Sequence, residues 1–102
     1  VFSRSTECHN QDKVSMGTIA ARDAIRVLEL TEQVAAATLL AANQGVWLRG
    51  MAEDARPLPP PLAAMHEALA KDFAPVIEDR ALEGELRLCL KRIAEQHWRL
   101  HA

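Results

Sequence analysis

Charged and polar positions in the first half of the chain recur at the spacing of a single α-helical face. Intervals of four, three and four residues separate the members of this stripe, which are Arg22, Arg26, Glu29 and Gln33. The pattern predicts a long helix that begins between residues 12 and 15, where Asn10, Asp12 and Ser15 are candidate N-caps. We expect this helix to end at Gly50 or shortly after, because glycine commonly follows a helix C-terminus.

The second half of this predicted helix is apolar or small on every side. Val34–Ala42 contains no charged residue, and the uncharged stretch extends from Gln33 to Leu48. A helix that is hydrophobic all round is buried in a larger body, whereas a chain of 102 residues buries only about 60–65% of its unfolded surface. We therefore expect a long buried helix that is covered by further chain, by an oligomer, or by both. The first residue is not Met, which also suggests part of a longer protein.

Two shorter amphipathic helices are predicted after a proline-rich connector. The connector spans residues 52–61, and the second helix begins near Pro61 and ends or kinks at Pro75. The expected apolar face of this helix consists of Leu62, Met65, Leu69, Phe73 and Val76. A third helix is expected from Arg80 to Trp98, and its core stripe consists of Leu82, Leu86, Cys89, Leu90 and Ile93.

The composition agrees with an all-α fold. Alanine (18 residues) and leucine (13) dominate, glycine occurs four times, tyrosine is absent, and no run alternates as a strand would. We expect segment 1–51 to combine a polar lead-in with the long core helix. Segment 62–102 then holds the C-terminal helices, and all of it belongs to one larger domain.

Charge and cysteine usage exclude several classes of protein. The chain carries 12 Lys plus Arg and 14 Asp plus Glu, and no tract of either sign marks a nucleic-acid surface. Two cysteines, Cys8 and Cys89, are too few for a disulfide-stapled secreted scaffold. The uncharged stretch of 16 residues is shorter than the roughly 20 that span a membrane, and no signal peptide is visible. A cytoplasmic protein without nucleic-acid or membrane partners is expected.

The polar segment Glu7–Gly17 stands at the mouth of the long helix and permits two interpretations. Its side chains either hold a polar substrate within an apolar site or cap the helix and face solvent. His97 and His101 are four residues apart, but no further ligand follows at a suitable spacing, so no metal site is expected. From the residues alone, we interpret the chain as a helical part of a larger protein.

Residues His9–Arg22 (HNQDKVSMGTIAAR) closely resemble the C-terminal active-site motif of aromatic amino acid ammonia-lyases and aminomutases. The resemblance continues through Glu32–Ala37 (EQVAAA) and Leu39–Arg49 (LLAANQGVWLR), which are similar to the long helix of this family. It resumes at Val76–Leu82 (VIEDRAL) and so covers roughly the whole chain. The first motif is specific, whereas the later segments are supportive.

This resemblance implies the C-terminal part of an ammonia-lyase-type helical bundle. The family eliminates ammonia from an aromatic amino acid with a methylidene-imidazolone group that forms from Ala-Ser-Gly, and a tyrosine acts as the base. Neither that tripeptide nor any tyrosine occurs here, so catalytic residues are expected elsewhere in the protein. By resemblance, Glu7, Asn10 and Gln11 contact the substrate or the prosthetic group, and the enzyme is a homotetramer whose active sites draw on several subunits.

Two positions sort the chain within the family. Histidine ammonia-lyases usually carry Glu where this chain has Gln11 and His where it has Lys13. A neutral amide suits a phenyl or phenol substrate, because only an imidazole gains from a carboxylate partner. By these two positions, the chain resembles the C-terminal portion of bacterial tyrosine ammonia-lyases, and the resemblance implies conversion of L-tyrosine to p-coumarate.

Three alternatives remain open at this point. A tyrosine or phenylalanine 2,3-aminomutase shares the motif and returns the ammonia to the β-carbon, and a phenylalanine ammonia-lyase differs only in its substrate. The third is a free-standing helical interaction module. That module would have to expose the apolar stretch Gln33–Leu48 to solvent, which argues against it.

Overall fold

The computed structural model describes residues 16–98, which form three α-helices. Helix α1 spans Gly17–Gly50, α2 spans Pro60–Asp72, and α3 spans Glu83–Ala94. No strand occurs within residues 16–98, and this confirms the predicted all-α class.

Helix α1 is 34 residues long and ends at the predicted glycine. Its first hydrogen bond joins the Ala20 N–H to the Met16 carbonyl oxygen at 2.9 Å, so the helix begins slightly later than the expected 12–15. Met16 occupies the N-cap position with φ −97° and ψ 22°, outside the helical region, and its side chain makes no capping bond. The Met51 N–H bonds to the Leu48 carbonyl oxygen at 3.1 Å and closes the C-terminal end.

The two shorter helices begin and end where backbone chemistry allows. Pro60 is the first residue of α2, where proline is tolerated because the first N–H groups of a helix have no acceptor within it. The helix ends three residues before Pro75. Helix α3 is shorter than predicted, because Leu82 is its N-cap and Gln96 adopts a left-handed φ of 52°. The His97 N–H then bonds back to the Arg92 carbonyl oxygen at 3.0 Å, a terminating turn that needs no glycine.

The buried core lies where α2 and α3 meet the middle of α1. It contains five residues with at most 6% of their surface exposed, Ala36, Leu69, Phe73, Cys89 and Trp98. Two small residues face each other across the α1–α3 contact, where the Cys89 thiol lies 3.8 Å from the Ala36 carbonyl oxygen. The small side chains allow the two helix backbones to approach closely. The predicted core stripe of α3 is confirmed at Cys89, with Leu86, Leu90 and Ile93 half-buried around it.

The rest of α1 is largely uncovered by the described residues. Only Ala36 is buried, whereas Ile25, Leu28 and Val34 are 58%, 62% and 65% exposed. The expected burial of this helix is therefore not provided by residues 16–98. Leu62, which the sequence assigned to the apolar face of α2, is also 58% exposed. No helix in this part of the chain is long and apolar enough to cross a membrane.

Candidate functional site

The predicted site residues Glu7, Asn10 and Gln11 lie outside the described range of 16–98. Their role therefore stays a prediction. In the sequence, the motif that contains Asn10 and Gln11 continues to Gly17, the first residue of α1. Aligned peptide dipoles place a partial positive charge of about half a unit at the N-terminal end of a helix, and this favours anionic groups near it.

Polar contacts lie near the C-terminal end of helix α1, far from the N-terminal end that follows the motif. Gln44 lies 27 residues after Gly17, which corresponds to about 40 Å along the helix axis. Asn43 and Gln44 each bond across to another segment, Asn43 to α2 and Gln44 to the α2–α3 loop. The motif and the C-terminal helices are therefore joined through one continuous helix.

Gln44 makes the best-defined polar contact between α1 and the rest of the described chain. Its side-chain Nε2 donates to the Val76 carbonyl oxygen at 2.9 Å, and its Oε1 accepts from the Val76 N–H at 2.9 Å. The N–H and the carbonyl oxygen of Val76 are thus both hydrogen-bonded to the side-chain amide of Gln44. The pattern is the one that a residue of a neighbouring β-strand would provide. The sequence contained a signal for this contact, because an Asn-Gln pair interrupts an otherwise apolar run.

Replacing Gln44 by alanine is expected to destabilise the loop of residues 73–82. Two half-buried backbone groups of Val76 would lose their partner, at a cost of about 1–3 kcal/mol. Hydrogen exchange in the full-length protein measures this, and the Val76 amide should exchange faster. Gln33→Ala, an exposed glutamine on the same helix, is the matched control and should change stability by less than about 0.5 kcal/mol. Unchanged exchange at Val76 would contradict the assigned contact.

A second contact joins α1 to α2. The Asn43 Oδ1 lies 2.7 Å from the His66 Nδ1. An amide oxygen only accepts hydrogen bonds, so in this contact the His66 tautomer with its proton on Nδ1 is the donor. Both side chains are half-buried, so this bond fixes α2 against the same turn of α1 that holds Val76.

Cys89 is the buried thiol of the described part. Its exposed fraction is 0%, and burial raises the pKa of the thiol because the charged thiolate is poorly solvated there. The S–H points at the Ala36 carbonyl oxygen, 3.8 Å away. A neutral, buried thiol packs as a small apolar side chain, so Cys89 supports the helix contact and is not a nucleophile.

The raised pKa of Cys89 sets the direction of a pH effect on stability. In the unfolded chain the thiol has a pKa of about 8.5, and in the folded protein its pKa is higher. The neutral thiol therefore stabilises the folded state fully below about pH 8.5, and this stabilisation is lost as the pH rises through the folded-state pKa. The difference in unfolding free energy between wild type and Cys89→Ala should therefore narrow over the pH range above about 8.5. Urea unfolding of the full-length protein at several pH values measures it. A difference that widens over this range would contradict the assignment.

The described residues lack the features that mark metal-binding and buried polar sites. No polar or charged side chain within residues 16–98 is fully buried, and no three His, Cys, Asp or Glu side chains in that range cluster as metal ligands do. His97 lies beyond α3, where its Nδ1 is 3.4 Å from the Arg92 Nη1.

Comparison with known proteins supports the ammonia-lyase resemblance but not the expected tyrosine branch, because the relatives that match are named histidine ammonia-lyases. The family model described as aromatic amino acid lyase matches residues 1–71. Histidine ammonia-lyase from Bos taurus is 39% identical over 98 residues, which is 94% of this chain and 14% of that protein. The Caenorhabditis elegans histidine ammonia-lyase is 38% identical over 96 residues, covering 93% of this chain and 13% of the relative.

A bacterial relative is more distant. Histidine ammonia-lyase from a Geobacillus species is 30% identical over 98 residues, covering 96% of this chain and 18% of that protein. The chain thus spans less than a fifth of the length of these relatives. No solved structure gives a significant match.

Proposed function

We propose, from the premise that this chain belongs to the aromatic amino acid lyase family, that the whole protein is an ammonia-lyase. The observation that carries the proposal is the family match over residues 1–71, which contains the motif His9–Arg22. Relatives named histidine ammonia-lyase align over 93% or more of the chain. The reaction is a non-oxidative elimination. The bond between Cα and nitrogen breaks, the β-carbon loses a proton, and a carbon–carbon double bond forms as ammonia leaves.

The proposed substrate is L-tyrosine, which would give p-coumarate. Gln11 and Lys13 support this choice, because histidine ammonia-lyases usually carry Glu and His at these positions. An uncharged amide can accept or donate a hydrogen bond near an aromatic ring without burying a charge that has no counter-ion. Phenylalanine ammonia-lyase and tyrosine or phenylalanine 2,3-aminomutase activities are variants of the same proposal.

Histidine is the second candidate substrate, and a separate observation favours it. The mammalian and nematode relatives, at 38–39% identity, are histidine ammonia-lyases by name. An enzyme of that specificity would have to bind the imidazole ring with a partner other than a carboxylate at position 11. The two candidates therefore differ in which residue contacts the substrate ring.

We assign binding roles to Glu7, Asn10 and Gln11 and no catalytic role to any residue of this chain. Their polar side chains would orient the substrate and stabilise charge near its amine, which is an effect of position and electrostatics. The proposed prosthetic group is methylidene-imidazolone, which supplies the electrophile. The chain has no Ala-Ser-Gly, and its described helices bury no polar side chain that would hold such a group. The group and the tyrosine base therefore belong to other parts of the proposed enzyme.

We also propose that the protein is a cytoplasmic homotetramer. The support is the apolar surface of α1, where Ile25, Leu28 and Val34 are all more than half exposed in the described part. Exposed apolar surface of this kind is usually covered by protein. The rest of the polypeptide and neighbouring subunits would together cover it.

The test uses the full-length protein that contains this chain. It is incubated separately with L-tyrosine, L-phenylalanine and L-histidine, and the ultraviolet absorbance of the conjugated acrylate is followed. Rapid formation of p-coumarate with little urocanate supports the tyrosine proposal, and rapid formation of urocanate supports the second candidate. A β-amino acid detected by chromatography, without acrylate, identifies an aminomutase. No product from any of the three, with the protein folded, overturns the lyase proposal and favours a non-enzymatic interaction module.

A further inference from the structure

An exposed, acidic knob lies in the loop between α2 and α3. It consists of Ile77, Glu78 and Asp79, and Ile77 is 80% exposed, the highest value among the large hydrophobic side chains of the described part. Both carboxylates are exposed, and neither takes part in an ion pair with another described residue. An isoleucine in water beside two unpaired charges has no structural role within residues 16–98.

Hydrogen bonds hold the chain in place immediately before and immediately after the knob. Gln44 binds the N–H and the carbonyl oxygen of Val76, immediately before it. Arg80, immediately after it, donates to the carbonyl oxygens of Pro75 at 3.1 Å and Ala74 at 3.0 Å, and pairs with Glu85 at 2.8 Å. A segment already held in one conformation loses little conformational entropy when it binds. The knob is thus preorganised for contact.

A basic cleft of complementary chemistry lies at the C-terminal end of α1. It has a volume of about 650 Å³ and includes Trp47, Arg49, Arg56, Leu62 and His66 in its lining. Arg49 and Arg56 are exposed, and neither pairs with a carboxylate of the described chain. One carboxylate, Asp54, lines an adjoining recess with the same two arginines, so the cleft retains net positive charge.

We propose that the acidic knob of one copy of the protein docks into the basic cleft of a second copy. Ile77 would cover the apolar wall at Leu62, and the two carboxylates would meet Arg49 and Arg56, whose guanidinium groups bind carboxylates in a two-pronged geometry. The two surfaces carry charge of opposite sign, two carboxylates on the knob and two arginines in the cleft, with Asp54 beside the arginines. This inference deepens the proposed self-association and is independent of the proposed reaction.

The positions of knob and cleft permit a reciprocal contact. Gln44, which holds the base of the knob, and Trp47, which lines the cleft, are three residues apart on α1. Three residues are slightly less than one helical turn. Knob and cleft therefore lie near the same end of α1, and two copies related by a two-fold axis can each insert a knob into the other's cleft, as a closed symmetric interface requires.

The test is cross-linking between two differently tagged copies of the full-length protein, expressed together. One copy carries Ile77→Cys and the other Leu62→Cys, so that only an intermolecular contact yields a covalent pair. Replacing Ile77→Cys by Arg87→Cys, on α3 with a side chain that is 76% exposed, gives the matched control pair. We expect the first pair to cross-link at least about fivefold more than the control, because docking raises the local concentration of the two thiols. Equal yields would overturn the proposal.

Charge reversal tests the complementarity itself. The double variant Glu78→Arg/Asp79→Arg in one copy, or Arg49→Glu/Arg56→Glu in the other, should reduce the cross-link by about fivefold or more. Combining both reversals should restore it to at least half of the original yield. Failure of the combination to restore it, with circular dichroism unchanged, overturns the proposal. Sedimentation measures the oligomeric state separately: a tetramer without this cross-link contradicts only the docking contact, whereas a monomer contradicts the proposed self-association as well.

Discussion

Replacing Phe73 by alanine is expected to lower the free energy of unfolding by about 3–5 kcal/mol. Phe73 is 2% exposed and lies directly after α2, where its N–H bonds to the Leu69 carbonyl oxygen at 2.9 Å. Its ring centroid is 6.1 Å from that of Trp98, with an angle of 55° between the rings. Alanine would remove both the buried area and this aromatic contact.

The site cannot easily collapse around the missing ring. A groove of about 290 Å³ already lies beside Phe73, between Leu40 and Leu86, so truncation enlarges an existing space. Phe73→Leu is the matched control, because it keeps most of the volume and should cost less than about 1.5 kcal/mol. Urea unfolding of the full-length protein, followed by tryptophan fluorescence, separates the two variants. Equal stability of the alanine and leucine variants would contradict the central position of Phe73.

The helix boundaries were predictable where local chemistry determines them. Pro60 opens α2, as proline does in many helices. The end of α1 was predicted at the right residue, although Gly50 is its last helical residue and Met51, in the right-handed region, is the C-cap. The end of α3 was not predictable in this way. A left-handed backbone at Gln96 ends it, although glutamine carries no intrinsic preference for that conformation. The capping bond from His97 to Arg92 stabilises this turn, and such a bond is visible only in three dimensions.

The beginning of α3 also could not be predicted from the sequence pattern. Periodicity extended the helix back to Arg80, but the Arg80 side chain instead binds the carbonyl oxygens of Ala74 and Pro75. The position of Leu62 shows that periodicity also overestimates burial. It has the spacing of a core residue in α2, yet it lies in the first turn, beside the connector and away from α3. Sequence periodicity states which residues share a face and does not state whether another element covers it.

The candidate site was predictable only through resemblance. The polar segment Glu7–Gly17 allowed either capping or substrate binding on physical grounds, and the similarity of His9–Arg22 to a family motif selected the second interpretation. The family match confirms the membership of the chain. The chemistry could not be derived from this chain, because its described helices bury no polar side chain and the sequence contains no tyrosine. In the proposed enzyme the active site is built from distant segments, so only part of its residues would lie in this chain.

Gln11→Glu is expected to shift substrate preference from tyrosine towards histidine by about 10- to 100-fold in the ratio of the two kcat/KM values. The expectation rests on the proposed role of Gln11. A carboxylate would form a charge-assisted hydrogen bond with the imidazole ring of histidine, and such bonds are about twice as strong as neutral ones. Against a phenol the same carboxylate would be desolvated without a counter-charge, so activity on tyrosine should fall.

Two further variants separate this effect from a general change in charge. Gln11→Glu/Lys13→His reproduces both positions as they usually occur in histidine ammonia-lyases and should shift the ratio further in the same direction. Gln33→Glu introduces the same charge on the exposed surface of α1 and should leave the ratio unchanged. The ratio is measured from initial rates of p-coumarate and urocanate formation by the full-length protein. A shift of less than about twofold for Gln11→Glu would show that this side chain does not contact the substrate ring, since direct contact with a charged group is worth more than that.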